Sequence, residues 1–392
     1  MIQPANLFDL TRHLPTPLLV VDQEQVRVNL RRIQQAVPQA EIFYAVKCNA
    51  DRRVLEAVWQ AGAGFEIASL SEAETMTQMG VPPERIICLH PIKAPEFLRA
   101  LHRQRIDVLA ADSLVELDKL AAHAPGSRVV LRVSISNAGS VVQLNGKFGV
   151  EPGEVLNLFR QAEARELRPY GITIHVGSQC ERLATWMEAL AVCRELFREA
   201  ARAGVKLSLL SLGGGLPAPY SNGALSFEEI GAALRAGLAS LELPSDCTVS
   251  IEPGRGIVAD AGTLITTVVG LAERAAGHWA YLDAGGYHGL FEACAAGGGI
   301  PFQISAQHND RPTRVYNIGG PTCDSFDMPF ERRPLPELRI GDRLAIHSAG
   351  AYSTELSSTF NGFPAPAVYG LEELGTESYS LPSSLIDGGC AP

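Results

Sequence analysis

Eight short apolar runs alternate with helix-like stretches through about the first two thirds of the sequence, and this alternation constrains the fold most. The runs are IFYAVK (42–47), GFEIAS (64–69), IICLH (86–90), DVLAAD (107–112), VVLRVS (129–134), GITIHVGS (171–178), LSLLSLGGG (207–215) and VSIEPGR (249–255). Between them, apolar residues recur at i, i+3 and i+4, as in amphipathic helices. Eight strand–helix units predict an α/β protein with a closed (β/α)8 TIM-like barrel. A doubly wound sheet is the alternative, but it would hold fewer strands.

The pattern changes after residue 262. The segments GTLITTVVGLAE, HWAYLDAGG, TRVYNIGG and DRLAIHSAGAY predict a second, mainly antiparallel β domain. We expect the strand-like HLPTPLLVVD (13–22) to join it, so that residues 24–262 form the barrel and residues 1–23 plus 263–392 form the β domain. The glycine-rich AAGGG (295–299) and the tail PSSLIDGGCAP are expected to be loops or frayed ends.

Composition argues against several kinds of partner. The formal charge of −10 disfavours nucleic acid and anionic membrane surfaces, which bind basic patches. No apolar run is long enough to cross a bilayer and the N-terminus does not resemble a signal peptide, so we expect a cytoplasmic protein. The eight cysteines are scattered without a CxxC pair; they are expected to be free thiols, and no metal site is expected.

Lys47 ends the first apolar run, where a buried amine is costly. At the mouth of a strand, burial can lower the pKa of the ammonium group and leave a neutral amine that condenses with an aldehyde. The alternative is a lysine on an edge strand with its head in water, and this motif alone does not separate the two.

Other residues that could bind a ligand or take part in catalysis lie at the ends of the remaining runs, where a barrel places its active site. The glycines 213–215 suit a phosphate group, or else form a tight turn. Glu252 could keep the ring nitrogen of a pyridine cofactor protonated, or it could pair with Arg255. His175 could stack on a flat ring, or it could be a histidine of the core.

Seven motifs, taken in order, carry a family resemblance: YAVKCN, FEIAS, HVGSQ, LGGG, EPGR, GPTCDS and GAYSTELSSTFNGF. From about residue 15 to 370 the chain resembles the pyridoxal-phosphate decarboxylases with an alanine-racemase-like barrel. These enzymes act on ornithine, lysine, arginine or diaminopimelate. Within the family, the chain is most similar to the ornithine decarboxylases, particularly a bacterial type for which lysine is also a candidate substrate.

The resemblance implies pyridoxal 5'-phosphate as the cofactor. It implies that Lys47 forms a Schiff base with the cofactor, that His175 stacks on its ring and that Glu252 holds the ring nitrogen. The other cofactor-binding residues that it implies are Glu66, Arg132, Ser178, Gly213, Gly214, Gly215, Gly254, Arg255 and Tyr352.

The resemblance also implies how the substrate is bound. Cys323 would return a proton to the substrate carbon, and Asp324 would pair with the distal ammonium. Tyr287 and Asp283 are further candidates. Animal-type ornithine decarboxylases place an aspartate about one residue after Asp283, at position 284, which leaves ornithine and lysine both open. A one-methylene difference is worth only about 1–3 kcal/mol.

The expected activity is decarboxylation of ornithine to putrescine by a homodimer, in which the Cys323–Asp324 loop reaches the neighbouring subunit's barrel. A diaminopimelate decarboxylase is also possible, but those enzymes usually carry a glutamate in place of Asp324 and an Arg-Pro pair after the segment matching 283–291. No arginine occurs in 283–292 here. A non-catalytic regulatory paralogue and an amino-acid racemase would also be compatible with parts of this pattern.

Overall fold

The computed structural model describes residues 4–220, 224–295 and 299–375. In that part of the chain the helices are α1 (Pro4–Thr11), α2 (Gln23–Ala36), α3 (Arg52–Gln60), α4 (Leu70–Gln78), α5 (Pro95–Arg103), α6 (Leu114–His123), α7 (Val155–Glu163), α8 (Leu183–Arg202), α9 (Phe227–Ala239), α10 (Arg255–Val258) and α11 (Leu371–Leu374). The strands are β1 (Leu18–Val21), β2 (Ala40–Ala45), β3 (Gly64–Glu66), β4 (Ile86–Ile87), β5 (Val108–Ala111), β6 (Arg128–Arg132), β7 (Ser140–Val142), β8 (Arg168–Thr173), β9 (Ser178–Cys180), β10 (Leu209–Ser211), β11 (Thr248–Ile251), β12 (Gly262–Arg274), β13 (Gly277–Leu282), β14 (Ile304–Ala306), β15 (Thr313–Gly319), β16 (Phe330–Pro336), β17 (Arg343–Ile346) and β18 (Ala367–Gly370).

Several helices begin at a side chain that accepts a hydrogen bond from the first turn. Asp22 caps α2 by accepting from the Gln25 N–H, and Ser69 caps α4 by accepting from the Glu72 N–H. Each cap pairs an N–H group that a helix start would otherwise leave unsatisfied. The local sequence therefore helps to set where these helices begin.

Eight parallel strands form the first sheet, in the order β4-β3-β2-β11-β10-β8-β6-β5. The two ends of this order meet, because Cys88, just after β4, forms a parallel bridge with Leu109 of β5. The Cys88 N–H donates to the Val108 carbonyl at 3.1 Å, and the Ala110 N–H donates to the Cys88 carbonyl at 2.9 Å. The sheet closes on itself, and the predicted (β/α)8 barrel is confirmed.

The barrel strands end before the apolar runs do. β2 ends two residues before Lys47, β8 ends two residues before His175, and β11 ends directly before Glu252. All barrel strands run in the same direction, so the loops that follow them share one rim of the barrel. The polar residues predicted at the strand ends therefore lie on this rim.

The second sheet is mainly antiparallel, with the order β14-β17-β12-β13-β15-β16. Strand β1 pairs antiparallel with β12 and parallel with β18, so that Leu18 lies opposite both Ile265 and Ala367. The predicted fold class, a barrel with a second β domain, is thus confirmed. We propose 24–262 as the extent of the barrel domain, which the start of β12 at Gly262 supports.

Parts of the two segments expected to be loops or frayed ends lie outside the described residues. These are residues 296–298 of the glycine-rich segment and the whole tail, which includes Cys390. The other seven cysteines are free thiols. Among the described residues no helix has the length and apolar character needed to cross a membrane. Within the same ranges, no cluster of three or more His, Cys, Asp or Glu side chains could hold a metal ion.

A buried lysine lies at the junction of β4 and β5. The Lys93 side chain is fully buried and pairs with the buried Glu116 carboxylate at 2.9 Å. Its Nζ also donates to the carbonyls of His90, Pro91 and Ala110, at 2.9, 3.2 and 2.6 Å. Since this junction is made by one isolated bridge, these bonds help to hold the barrel closed.

Replacement of Lys93 by Met should lower the stability of the protein by about 3 kcal/mol, because it leaves three carbonyls without their donor and leaves Lys119 as the one remaining cation paired with the buried Glu116 carboxylate among the described residues. The shift of the urea denaturation midpoint measures this loss. Lys206→Met is the matched control, since Lys206 is exposed and pairs with Asp246 at the surface. Equal shifts in the two variants would contradict a closing role for Lys93.

Candidate active site

A cavity of about 390 Å³ opens at the rim of the barrel. Five of the predicted site residues line it: Lys47, Glu66, Arg132, His175 and Glu252. These residues come from five different strand ends. The structure therefore brings together side chains that are far apart in the sequence, as a barrel active site requires.

Lys47 lies in a short 3-10 helix, Val46–Cys48, directly after β2. Its Nζ pairs with the buried Glu66 carboxylate, while its own side chain is 43% exposed toward the cavity. Burial acts to lower the pKa of Lys47, but the charge of Glu66 and further acidic neighbours raise it above its usual range. The expectation of a lowered pKa is therefore wrong in this structure. Lys47 is an ammonium group at neutral pH and must lose a proton before it can act as a nucleophile.

Glu252 follows β11 and its side chain is buried. Its Oε1 accepts a hydrogen bond from the Ser211 hydroxyl and another, at 3.4 Å, from the Thr173 hydroxyl. Burial, and then the nearby charge of Glu66, raises the pKa of Glu252 to about 7. A carboxyl group with this pKa can hold or release a proton near neutral pH, as the partner of a basic ring nitrogen must.

His175 presents a neutral ring to the cavity. Its Nδ1 accepts from the Gly177 N–H at 3.1 Å, and its carbonyl accepts from the Asn137 side chain at 2.8 Å. Burial, and then the charge of Arg132, lowers the pKa of His175 well below its usual range. The proton of the neutral imidazole is then on Nε2. Such a flat, fixed ring is suited to stacking on a planar ligand.

The glycines after β10 allow the backbone to approach a ligand closely. Gly213 and Gly215 have φ angles of +67° and +112°, in the region that favours glycine. A Cβ on Gly214 would lie 2.8 Å from the Glu252 carbonyl oxygen and 3.1 Å from His175 Nε2. A side chain has no room here, whereas backbone N–H groups can donate to the oxygens of an anion.

Arg255 is the buried cation next to these glycines. Its Nε donates to the Ser178 hydroxyl at 3.1 Å, and its Nη1 donates to the Tyr220 hydroxyl at 3.0 Å. Nη1 and Nη2 also donate to the two carboxylate oxygens of Glu292, at 2.9 and 2.6 Å. The guanidinium carbon lies 5.0 Å from the centre of the Tyr352 ring. We call Gly213–Gly215, Ser178 and Arg255 the phosphate cradle.

The residues around Arg255 tie the phosphate cradle to Lys47. A Cβ on Gly254 would lie 2.7 Å from the Cβ of Cys48, so the two segments pack directly on each other. Tyr352 has a left-handed φ of +58°, and its N–H donates to the Cys48 carbonyl at 2.8 Å. Left-handed backbone is rare for a tyrosine and is often found at functional sites.

Arg132 ends β6 and forms part of the cavity wall. Burial lowers its pKa, and the charges of Glu252 and Glu66 act against this decrease. The cavity is thus lined by three cations, Lys47, Arg132 and the exposed Lys147, beside the two carboxyl groups of Glu66 and Glu252. Each charge is partly balanced by a neighbour, which makes their burial tolerable.

Cys323 and Asp324 lie in the exposed loop between β15 and β16. The Cys323 N–H donates to Asn361 Oδ1 at 3.1 Å. The Tyr287 hydroxyl donates to the Asp324 carboxylate at 2.5 Å, and this bond lowers the pKa of Asp324. Neither residue lines the cavity around Lys47. A single chain therefore does not bring the two halves of the predicted site together.

Asp283 has a different set of contacts. Its carboxylate accepts from the Thr266 hydroxyl at 2.5 Å, from the Thr267 N–H at 2.9 Å and from the Thr16 hydroxyl. These donors belong to β12 and to the segment before β1. The structure does not place Asp283 beside Asp324 or the cavity, because its oxygens are used to join strands of the β domain. We do not retain it as a substrate ligand.

Ser211 and Glu292 belong to the site although no motif marks them. Ser211 is a hydroxyl within the mostly apolar LSLLSLGGG, and Glu292 is the acid that ends DAGGYHGLFE. A polar side chain in a buried segment must find a partner. This signal could have identified both residues from the sequence.

The side chains present fit pyridoxal phosphate. The cradle offers backbone N–H groups, a hydroxyl and a buried guanidinium for a phosphate group. His175 supplies a flat neutral ring, and Glu252 supplies a carboxyl that can face a ring nitrogen. Lys47 supplies the amine that an aldehyde requires.

Comparisons with known proteins agree with this geometry. Residues 23–259 match the family described as pyridoxal-dependent decarboxylase, pyridoxal binding domain. The lysine/ornithine decarboxylase of Selenomonas ruminantium is 33% identical over 355 residues, which cover 90% of this chain and 89% of that protein. Antizyme inhibitor 2 of Xenopus laevis is 33% identical, with coverage of 88% and 78%. The arginine decarboxylase of Paramecium bursaria Chlorella virus, solved with agmatine, has a TM-score of 0.87 at 28% identity, with coverage of 93% and 98%.

The barrel and its rim define a protein that binds pyridoxal phosphate. The chain belongs to the pyridoxal-dependent decarboxylase family, which confirms the resemblance inferred from the seven motifs. It is therefore a pyridoxal-phosphate-dependent carboxy-lyase.

Glu252→Gln should stabilise the cofactor-free protein at pH 8 by about 2 kcal/mol. The pKa of Glu252 is raised from its ordinary 4.5 to about 7 on folding, so its stabilising contribution is full below pH 4.5 and is lost as the pH rises through 7. Glutamine stays neutral, so the gain should shrink toward pH 5. Urea unfolding at several pH values measures it.

Glu72→Gln is the matched control, because burial also raises the pKa of Glu72 to about 7 but the residue does not line the cavity. It should show the same pH trend and leave cofactor binding unchanged. A Glu252→Gln protein no more stable than the parent at pH 8 would show that the Glu252 carboxyl is not destabilised by burial.

Proposed function

We propose that this protein decarboxylates L-ornithine to putrescine for polyamine synthesis in the cytoplasm, with lysine as a second substrate. The observation that carries the proposal is the cavity that unites Lys47, His175 and Glu252. The names of the similar proteins, which include lysine, ornithine and arginine decarboxylases, support a basic amino acid as the substrate.

Each of the proposed site residues has a separate chemical role. Bound pyridoxal phosphate supplies an electron sink for the pair that remains when carbon dioxide leaves. Glu66 contacts Lys47 Nζ directly and can take the proton that the lysine must lose. Glu252, whose carboxyl accepts a hydrogen bond from the Ser211 hydroxyl, would as a carboxylate keep the ring nitrogen of the cofactor protonated. The thiol of Cys323 is the proposed proton donor to the substrate carbon.

Asp324 is the proposed partner of the distal ammonium of the substrate. Its carboxylate is exposed, and the bond from Tyr287 keeps its pKa low, so it is an anion at neutral pH. A second substrate carboxylate, as in diaminopimelate, would need a cation. The segment 283–292 offers none, and Glu292 at its end is acidic. This favours ornithine or lysine over diaminopimelate.

We propose a homodimer in which the Cys323–Asp324 loop of each copy completes the cavity of the other. Both residues are exposed, and neither lines the cavity of its own chain. Phe291, Phe326 and Phe360 lie around this loop and are 40%, 38% and 43% exposed. Exposed aromatic side chains gathered beside functional residues are typical of an interface.

Release of carbon dioxide from ornithine, lysine, arginine and diaminopimelate, measured side by side, tests the substrate. We expect the highest kcat/KM for ornithine, with lysine lower by about 10- to 200-fold. Asp324→Asn should lower kcat/KM for both by at least about tenfold, because it removes a charged hydrogen bond. The exposed Asp310→Asn is the control. Release from diaminopimelate alone would overturn the proposed substrate.

Mixing of Lys47→Ala with Cys323→Ala protein tests the shared site. Each variant alone should be nearly inactive, and random exchange of subunits should restore about a quarter of the parent activity, since one complete site forms in each mixed dimer. Lys47→Ala mixed with the double variant should stay inactive, because no lysine remains. No recovery in the first mixture, under conditions that exchange subunits, would exclude sharing.

A non-catalytic regulatory paralogue is the second candidate, and the similarity to antizyme inhibitor 2 is the observation that favours it. Lys47, Glu252, Cys323 and Asp324 are all present, however, and a binding protein would need no such set. An amino-acid racemase would share the barrel and the lysine, but racemases usually lack the GPTCDS element. Carbon dioxide release from any of the four amino acids separates a decarboxylase from both.

A further inference from the structure

Arg255 of the barrel is held by a carboxylate from the other domain. Glu292 lies on the 3-10 helix Phe291–Ala293 of the β domain and binds both terminal nitrogens of the guanidinium. The side chains of Arg255 and Glu292 are only 3% and 13% exposed. This is a buried, bidentate ion pair, the geometry that fixes a guanidinium most firmly.

Nearly all the donors of Arg255 have partners. A guanidinium carries five N–H groups. One donates to Ser178, one to Tyr220 and two to Glu292. One N–H, on Nη2, is left over, and the Nε N–H donates to the Ser178 hydroxyl, which is itself part of the cradle. The N–H groups of Arg255 that face Glu292 are thus already hydrogen-bonded. A phosphate group in the cradle must bind to the other side of the guanidinium.

The charge of Arg255 is likewise balanced before any anion arrives. Burial lowers the pKa of Arg255, but the phenol of Tyr220 and then the Glu292 carboxylate raise it well above its usual range, so it is a cation at all relevant pH values. The pair with Glu292 is neutral as a whole. A phosphate dianion therefore meets the attraction of Arg255 and the repulsion of Glu292 together.

We propose that Glu292 sets how tightly the cradle holds the phosphate group of the cofactor, by neutralising Arg255 and occupying its two terminal nitrogens. Glu292 acts through Arg255, so it is a positioning residue. Because the ion pair crosses from the β domain to the barrel, its carboxylate also stabilises the contact between the two. Removing the carboxylate has two opposite effects. The cradle binds phosphate more tightly, and the protein without phosphate is less stable.

Glu292→Gln tests this proposal, since glutamine keeps one hydrogen-bond acceptor and loses the charge. In cofactor-free protein, the variant should bind inorganic phosphate and pyridoxal phosphate at least about tenfold more tightly than the parent. Its affinity for pyridoxal, which lacks the phosphate, should be unchanged. Its thermal midpoint should be lower without ligand and should recover at saturating phosphate.

Glu337→Gln is the matched control, because that carboxylate pairs with Arg314 at the surface of the same domain. It should change neither phosphate affinity nor the thermal midpoint. Equal or weaker phosphate binding by the folded Glu292→Gln protein would overturn the proposal. If that variant does not fold, Glu292→Asp, whose shorter carboxylate withdraws from Arg255, should still bind phosphate more tightly than the parent, and unchanged affinity would overturn the proposal.

The effect of Glu292 on phosphate binding involves the family's cofactor and does not depend on the amino acid that is decarboxylated. Its readout is the binding of phosphate and of pyridoxal, measured without substrate. A failure of the ornithine proposal would therefore leave these titrations unaffected, and a failure of the titrations would leave the substrate assays unaffected.

Discussion

Closure of the parallel sheet is the constraint on which the rest of the structure depends. One bridge between Cys88 and Leu109 joins the two ends of the strand order, β4 and β5. A hydrogen bond from the buried Lys93 to the Ala110 carbonyl stabilises this junction. Closure makes eight strand ends meet at one rim, and so Lys47, His175 and Glu252 share a cavity. In an open sheet the same residues would be spread along an edge. The chemistry of the site is in this sense a result of barrel geometry.

Within that rim, Glu66 links the protonation of the other groups. It pairs with Lys47 and keeps that amine charged, and its own charge is one of the causes of the raised pKa of Glu252. A proton that leaves Lys47 therefore has a nearby acceptor, and neutralising Glu66 would in turn favour the charged form of Glu252. The pKa values of Lys47 and Glu252 thus both depend on the charge of Glu66.

Much of this arrangement could be predicted from the sequence, for identifiable reasons. Strands buried on both faces read as apolar runs, so eight of them are visible without tertiary information. Because the strands are parallel, the residues that follow them can be predicted to lie at the same rim of the barrel. The direction in which the pKa of Lys47 shifts could not be predicted, because it depends on contact with Glu66, which lies on another strand. The role of Asp283 was hidden as well, since its partner Thr16 is 267 residues away in the sequence.

Strand β1 precedes the barrel in the sequence and pairs with β12 and β18, which follow it. The chain enters and leaves the barrel at adjacent points, where the Asp22 N–H donates to the Ala261 carbonyl at 2.8 Å. During synthesis, β1 is made before the barrel strands, whereas the strands on both sides of it are made only after them. The sheet around β1 can therefore form only after the whole barrel has been synthesised.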